Sequence, residues 1–386
     1  MAYINSNANR FYTALEASYG QIGAVTASNR IPALKLTVQQ QLEMKDRKDK
    51  TGSRTFAGLP AGGRRRTSFE LRTYLTNLQS SGSPAYGPLV QAALGGTPLS
   101  FAGGTVSSST TGGRLGFAAP HGLSAGQAVA SGSEVRFVSA IVDPSDVQLN
   151  APFTVVPSAA NAAVTYVPAT NLPSATIFDY WSPSTAVQRV LCGAGVDQMH
   201  ILLNGDYHEL HFSGLAQDVI DSSSFSNASV GQLSSFPAEP ALGAFNFSVV
   251  PGNLGQAWLG TSPNQFFTIT SAQVTLKNSL EMRAKEFGSS FPRALSPGQR
   301  SVTATFDLFS QDDNQTVGLY QAARQRSPIS LMLQLGDQAG QMMAVYLSSM
   351  IPEVPEFDDG DNQLQWKFRP SRAQGTIDNE IAVAFA

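Results

Sequence analysis

The sequence is poor in cysteine and in charge. Its single cysteine, Cys192, follows Val190 and Leu191 in an apolar run, so an intrachain disulfide is excluded and a small core residue is expected. Charged residues make up 14% of the 386 residues, and the formal net charge is -3. Nothing in this balance suggests the strongly basic surface with which most nucleic-acid-binding proteins neutralise phosphates.

Long apolar runs are also missing. No segment approaches the roughly 18 continuous apolar residues that a membrane-spanning helix needs. The first residues, Met1 to Ser6, lack a basic region followed by an apolar stretch, which a secretory signal requires. We therefore expect no membrane insertion.

Glycine and proline are abundant, with 34 and 22 residues. This composition, with many Ser and Thr, favours short strands joined by turns over long charged helices. The length suits two or three domains, each able to bury its own core. The fold class that we predict is mainly β.

An internal repeat divides the chain. Leu42–Lys45 (LEMK) matches Leu280–Arg283 (LEMR), and in both places the motif follows a strand and precedes a loop that contains Pro-x-Gly. After each loop comes a second strand, in which apolar and polar residues alternate. Three further residues also match between the two copies. Pro60, Phe69 and Leu71 correspond to Pro297, Phe306 and Leu308.

The strand after each loop alternates apolar and polar residues, which is typical of a half-buried strand. In the second copy Phe306 and Leu308 share one face and Asp307 lies on the other; in the first copy Leu71 opposes Glu70. A short helix is predicted after each strand. One covers Pro88–Leu94 and the other covers Asn314–Arg324, with Asp312 or Asp313 as its cap.

The copies diverge by an insertion after the first helix. Three pieces of it resemble strands, namely Val135–Val142, Val147–Leu149 and Val164–Val167. Beyond it the similarity resumes. Ala186–Leu191 resembles Ala344–Leu347, the turn Asn204–Asp206 resembles Asp359–Asp361, and Leu210 and Phe212 resemble Trp366 and Phe368.

These observations predict a domain organisation with two related units. The predicted boundaries are an N-terminal arm at 1–30, a discontinuous first domain at 31–95 and 172–233, an inserted β subdomain at 96–171, a connector at 234–264, and a second domain at 265–386.

Several patterns that could carry chemistry have plainer interpretations. His208-Glu209-Leu210-His211, with His200 nearby, lacks the HExxH spacing of zinc proteases and falls on a strand. Arg64–Arg66 fits a solvated tip or an inter-subunit ion-pair partner better than a DNA contact. The acidic residues Asp358, Asp359 and Asp361 fit a turn, and Gly103-Gly104 and Gly112-Gly113 lack the Lys of a phosphate-binding loop. We assign no catalytic, cofactor-binding or metal-binding residue and expect no enzyme.

Taken together, the sequence resembles the tail tube (major tail) proteins of long-tailed bacteriophages. The stretches that carry the resemblance are GGRRRTSFELRTYLTN with AYGPLVQAALGG, then ITSAQVTLKNSLEMRAKEFGSSFPRALSPGQRSVTATFDLFSQDD, and VPEFDDGDNQLQWKFRPSRAQGTIDNEIAVAF. The resemblance implies β-sandwich or barrel domains, each with a flanking helix and a long loop. In that family such domains form sixfold rings around a β-lined channel for DNA.

The duplication has a consequence for such a ring. If one chain supplies two of six domains, three chains close a pseudo-sixfold ring, and rings stack into a tube of the virion tail. The resemblance also implies assembly in the host cytoplasm, a tape-measure protein in the lumen, terminator and tail-tip partners, and genomic DNA that passes without specific binding. The doubled domain favours a non-contractile tail.

Some residues are candidates for roles in the tube. The channel wall is expected to be neutral or acidic, with Glu70 and Asp307 among its candidates, because fixed cations would hold phosphates. The loops Asp46–Arg66 and Ala284–Gln299, together with the N-terminal segment, are candidates for ring stacking. The insertion is expected on the outer surface, where its removal would leave polymerisation intact.

Two other classes of function stay open. One is a tail-tip or baseplate ring, or a capsid decoration protein, of the same fold family. The other is a carbohydrate-binding or carbohydrate-hydrolysing tail-fibre protein, which would need exposed aromatic residues or paired carboxylates in a cleft. The sequence contains three Trp, and the alternating pattern puts Trp366 on a core face.

Overall fold

The protein is mainly β, with 47% of the residues that the structure describes in strands and 6% in helices. The computed structural model describes residues 3–43, 50, 52–54, 63–79, 82–203, 205–226, 233–360 and 362–386. Neither of its two described α-helices is long and apolar enough to cross a membrane.

Outside the insertion, the described residues of the first half contain eight strands and one α-helix. They are β1 (Asn9–Leu15), β2 (Arg30–Ile31), β3 (Ala33–Glu43), β4 (Arg64–Tyr74), α1 (Gly87–Leu94), and, after the insertion, β13 (Ala175–Trp181), β14 (Arg189–Leu203), β15 (Glu209–Ala216) and β16 (Asp218–Asp221). A short 3-10 helix at Ala27–Asn29 precedes β2.

The insertion is built from eight short strands. They are β5 (Leu99–Phe101), β6 (Gly104–Ser109), β7 (Arg114–Phe117), β8 (Ala128–Ser131), β9 (Glu134–Ile141), β10 (Asp146–Leu149), β11 (Ala159–Ala160) and β12 (Ala163–Tyr166). Six of them form a separate sheet in the order β11-β6-β7-β10-β9-β8, which we call the inserted sheet.

The described residues of the second half contain eleven strands and one α-helix. They are β17 (Gly255–Gly260), β18 (Asn264–Phe266), β19 (Ile269–Lys277), β20 (Glu281–Met282), β21 (Leu295–Ser296), β22 (Ser301–Phe309), α2 (Asn314–Gln325), β23 (Ile329–Leu335), β24 (Met343–Met350), β25 (Glu356–Asp358), β26 (Gln365–Gln374) and β27 (Ala382–Phe385). As predicted, α2 begins at Asn314, because the Asp313 carboxylate accepts a hydrogen bond from the Thr316 N–H at 2.6 Å.

One antiparallel sheet runs through both halves. Its strand order is β3-β4-β15-β14-β19-β22-β26-β25, and we call it the long sheet. The halves join where β14 pairs with β19, from Gln198 opposite Lys277 to Leu203 opposite Ala272. Two similar units therefore share one hydrogen-bonded surface.

Each half also has an outer sheet that covers the long sheet. In the first half β1, β13, β14 and β16 are adjacent in that order, and in the second half β17, β23, β24 and β27. Corresponding rows cross them, namely Tyr12–Phe178–Val190 and Trp258–Met332–Tyr346. A single hydrophobic core lies between the long sheet, the outer sheets and the helices.

The segments outside the repeated motif carry strands of these outer sheets. β1 lies within residues 1–30 and pairs along its whole length with β13, and β17 lies within residues 234–264 and pairs with β23. The rest of the connector follows the outer face of the first half. Its Glu239 carboxylate binds Arg10 at 2.7 Å and accepts a hydrogen bond from the Tyr12 hydroxyl at 3.1 Å.

Candidate functional site: the polar face of the long sheet

The two faces of the long sheet have opposite character. In β22, Val302, Ala304, Phe306 and Leu308 are buried while the residues between them are partly exposed, as the alternation predicts. β4, β15 and β19 follow the same rule around their buried residues. We call the partly exposed side the polar face; the other side belongs to the core.

A row of side chains crosses seven strands on the polar face. Each member is the register partner of the next, so their Cβ atoms lie roughly 4.5–5.5 Å apart. From β3 to β26 the row is Lys35, Arg72, His211, His200, Thr275, Thr303 and Arg372. The row joins residues from both halves into one surface.

Ion pairs balance much of the charge on this face. Arg72 Nη2 lies 2.6 Å from Glu70 Oε1, and both side chains are exposed to solvent. Lys367 pairs with Asp358, which holds the pKa of that carboxyl below its ordinary value. The face is therefore mixed in charge rather than strongly acidic or strongly basic.

Two histidines face each other at the centre of the row. His200 Nδ1 lies 3.0 Å from Thr275 Oγ1, and His211 Nε2 lies 2.7 Å from Glu209 Oε2. Burial lowers the pKa of His200 below its ordinary value, and the neighbouring His211 lowers it further. His200 therefore stays neutral at neutral pH.

Both predicted wall residues lie on the polar face. Glu70 is in β4, within the first half, and Asp307 is in β22, within the second. The Asp307 Oδ2 atom accepts a hydrogen bond from Ser271 Oγ at 2.9 Å. The two carboxylates lie in different cross-strand rows, so the structure places them on one surface without bringing them together.

The loop Ala284–Gln299 folds back onto the first half of the same chain. The Arg65 N–H donates to Ser290 O at 3.1 Å, and the Arg65 guanidinium lies 4.9 Å from the centre of the Phe291 ring. Gln217 Nε2 donates to Pro292 O at 2.9 Å. Most of the other predicted loop, Asp46–Arg66, lies outside the described residues.

The remaining motifs are dispersed. His208 is buried, with Nε2 2.9 Å from Leu254 O, whereas His211 lies on the polar face.

Arg65 forms an ion pair with Asp218 at 3.4 Å, and Cys192 is buried, which raises the pKa of its thiol. Gly112-Gly113 lies in the turn between β6 and β7, and Asp361 lies outside the described residues. Within the described part of the chain, no three His, Cys, Asp or Glu residues are grouped so that they could hold a metal ion.

Sequence reasoning missed the cross-strand row. Alternation puts His200 on the polar face of β14, but Arg372 has the same parity as the buried Trp366 and Phe368 and reaches the polar face only because of a β-bulge in β26. Alternation also cannot pair strands that are far apart in sequence. The sequence pattern that could have indicated this row is the alternation in β19, where the polar residues Gln273 and Thr275 separate buried residues.

One comparison with known proteins identifies a family. The model of a family described as phage tail tube protein matches residues 6–382, which is nearly the whole chain. A search of curated proteins found no significant match.

Proposed function

Because the chain belongs to the phage tail tube protein family, and is thus a structural component of a virion tail, we propose that three copies form a pseudo-sixfold ring. We further propose that these rings stack into the tube through which DNA leaves the virion. The proposal includes no catalysis, cofactor or metal.

The observation that carries the proposal is the join between the two halves. β14 and β19 pair over six residues, and the two units thereby become neighbours in one sheet with one polar and one apolar face. In a ring of such units, each unit must contact the next in the same way. A chain with two units makes every second one of these contacts within itself. Three chains then provide six units.

The polar face is the surface that we assign to the lumen. The opposite face of the long sheet packs against the core. A closed ring that extends this sheet therefore has only the polar face to line the channel. Ion pairs of Glu70 with Arg72, of Lys367 with Asp358 and of Arg369 with Glu356 neutralise three of its basic side chains locally. This partial compensation of the cations supports passage of DNA without specific binding.

The domain organisation is part of the proposal. β1 and β17 occupy equivalent places beside β13 and β23, so we propose that each tube domain begins with that strand, at about residues 9 and 255. The inserted sheet then lies on the outer sheet of the second half, on the side away from the long sheet. This arrangement supports an outward position for the insertion.

Electron cryo-microscopy of the purified polymer, or of virions that contain it, tests the proposal. We expect three chains in each ring, six similar domains around a hollow channel, and the polar face lining it. Six chains per ring would retain the tube and reject the duplicated-domain ring. A particle that never polymerises would support a tail-tip, baseplate or decoration role instead.

The tape-measure, terminator and tail-tip proteins are the partners that the proposal requires. Stacked rings grow without limit because a head-to-tail contact does not close, so another component must fix the length. Assembly in the host cytoplasm and a tail without a contractile sheath belong to the same proposal.

A further inference from the structure

The long sheet ends in two strands that each lack a partner on one side. Within the described residues β3 pairs only with β4, and β25 pairs only with β26. An open edge presents unpaired N–H and C=O groups and is a template for pairing with another strand. Both edges of this sheet are therefore available to a further strand.

The internal junction between β14 and β19 shows what such an edge can bind. There Ile201 lies opposite Val274 on the apolar face, and their side chains are 0% and 1% exposed. On the polar face His200 lies opposite Thr275. The junction thus buries apolar pairs on one face and aligns polar pairs on the other.

β25 occupies in the second half the place of β14 in the first. Phe357 lies opposite Trp366 in β26, as Ile201 lies opposite Leu210 in β15. Both strands precede a turn and a strand that runs back beside them. Phe357 is therefore the counterpart of Ile201, and Glu356 is the counterpart of His200.

β3 likewise occupies the place of β19. The pairs Leu71–Phe212 and Phe306–Phe368 align β4 with β22, and Leu36 and Ala272 lie opposite Leu71 and Phe306. Two residues further along the same face are Val38 in β3 and Val274 in β19. Val38 is therefore the counterpart of Val274, and Gln39 is the counterpart of Thr275.

The open edges expose apolar side chains that the internal junction buries. Phe357 is 53% exposed whereas Ile201 is fully buried, and Val354, just before β25, is 41% exposed. On β3, Leu34 and Leu42 are 44% and 47% exposed. Exposed apolar side chains next to an open edge mark a surface that is covered in the assembly.

We propose that β25 of one chain pairs antiparallel with β3 of a second copy, with Phe357 opposite Val38 and Glu356 opposite Gln39. This inference rests on the proposed ring and specifies its closing contact. The contact is heterologous, since different surfaces of the two copies meet. Pro355, which has no N–H, precedes β25, so the ladder between chains is shorter than the six-residue internal one.

Cysteine cross-linking in polymers of the full chain tests the contact and its register. Glu356→Cys is combined with Gln39→Cys, and in separate proteins with Thr37→Cys or Gln41→Cys, which lie two residues away on the same face. Directly opposite side chains are close enough for a disulfide to form on oxidation. The native Cys192 is buried and gives little background.

We expect the Gln39→Cys combination to give several-fold more disulfide-linked chains on a non-reducing gel than either neighbour. A maximum at Thr37→Cys or Gln41→Cys would overturn the register. Polymers of normal appearance with no cross-link in any combination would overturn the contact and leave the tube intact. If the unmodified chain does not polymerise, the proposed function fails and this contact with it.

A second test needs no cross-link. Phe357→Asp places a charge in the proposed contact, and Phe245→Asp is a matched control because Phe245, in the connector, is 55% exposed and also packs against another aromatic ring. We expect loss of polymer for Phe357→Asp, with a folded monomer by circular dichroism, and normal polymer for Phe245→Asp. Equal polymerisation of both variants would overturn the proposal.

Discussion

The ring of Phe137, in β9 of the inserted sheet, stacks on the ring of Tyr346, in β24 of the second half. Their centroids are 5.2 Å apart and their planes 17° apart. Hydrogen bonds flank the stack, because Gln334 Nε2 donates to Ser133 O at 2.7 Å and Gln334 Oε1 accepts from the Val135 N–H at 2.8 Å. The insertion is thus packed into the second half by buried contacts.

Phe137→Ala tests how much this packing stabilises the fold. Phe137 is fully buried, so its truncation leaves a cavity and is expected to lower the free energy of unfolding by about 3–5 kcal/mol. Urea denaturation of the monomer measures the change. Ile141→Ala, in the same strand but at a 42% exposed position, is the control and should change little. Similar losses for the two variants would contradict the assigned role of the stack.

We expect removal of residues 96–171 to affect the second half of the chain as well as to remove a surface subdomain. The insertion covers Trp258, Met332 and Tyr346 on the outer sheet, and its β12 pairs with β27. A chain that lacks it would expose this apolar face and an unpaired edge. We predict an insoluble or aggregating product, assessed by size-exclusion chromatography. A soluble deletion variant that polymerises would show that the insertion is dispensable, as the sequence alone suggested.

A buried ion pair at the same interface gives a further prediction. Arg136 and Glu134 have side chains 0% and 5% exposed and lie 2.9 Å apart, with the Arg136 guanidinium 4.5 Å from the centre of the Trp258 ring. Burial lowers the pKa of Arg136 to about 10, and Glu134 opposes that shift. Glu134→Gln leaves the cation without its counter-ion, so we expect a loss of about 3–5 kcal/mol in unfolding free energy.

Two further variants make that prediction specific. Asp143→Asn is the control, because Asp143 and Arg114 are 3.9 Å apart and both half exposed, and such pairs contribute roughly 0–1 kcal/mol. The double variant Glu134→Gln/Arg136→Met removes the stranded charge and is expected to recover part of the loss. A double variant less stable than Glu134→Gln alone would argue against charge burial as the cause.

The sequence predicts the faces of the long sheet better than its register. Matching Phe69 to Phe306 makes these two residues equivalent, yet Phe306 lies opposite Phe368 while Leu71 lies opposite Phe212. The structural equivalence is thus displaced by two residues. A shift by two residues keeps every side chain on the same face of the sheet, so the hydrophobic pattern does not reveal it.

The same reason limits what the sequence says about the candidate site. The polar positions of Glu70 and Asp307 follow from local alternation and were predicted. Their place in one sheet depends on the pairing of β14 with β19, whose paired residues are more than 60 positions apart in the chain. No local periodicity encodes such a pairing, so the cross-strand row had to come from the structure.

The last prediction concerns a buried carboxyl group that the pattern does not reveal. Glu16 is 8% exposed, and its side chain accepts hydrogen bonds from the N–H groups of Gly20 and Gly193 at 2.8 and 2.7 Å and from the hydroxyls of Ser174 and Thr176 at 2.6 and 2.8 Å. Burial raises the pKa of Glu16 above its ordinary value of 4.5, although these hydrogen bonds act in the opposite direction.

A raised pKa means that the folded protein holds this proton more tightly than the unfolded chain does. The resulting stabilisation is complete below pH 4.5 and is lost as the pH rises through the folded value. Glu16→Gln removes this titrating group. The amide N–H groups of the substituted side chain face the four hydrogen-bond donors, so we expect the variant to be less stable than the wild type at acidic pH. The difference in unfolding free energy between the wild type and Glu16→Gln should therefore shrink as the pH is raised.

Urea denaturation of the monomer at a series of pH values between about 4 and 8 measures this difference. Glu281→Gln, at an exposed position in β20, is the control for a general effect of removing one carboxylate. A difference that stays constant across the series, or that grows with pH, would mean that the hydrogen bonds to the carboxylate outweigh the cost of its burial. Glu16 would then be an anchor between β1, β13 and β14 that is strongest when ionised.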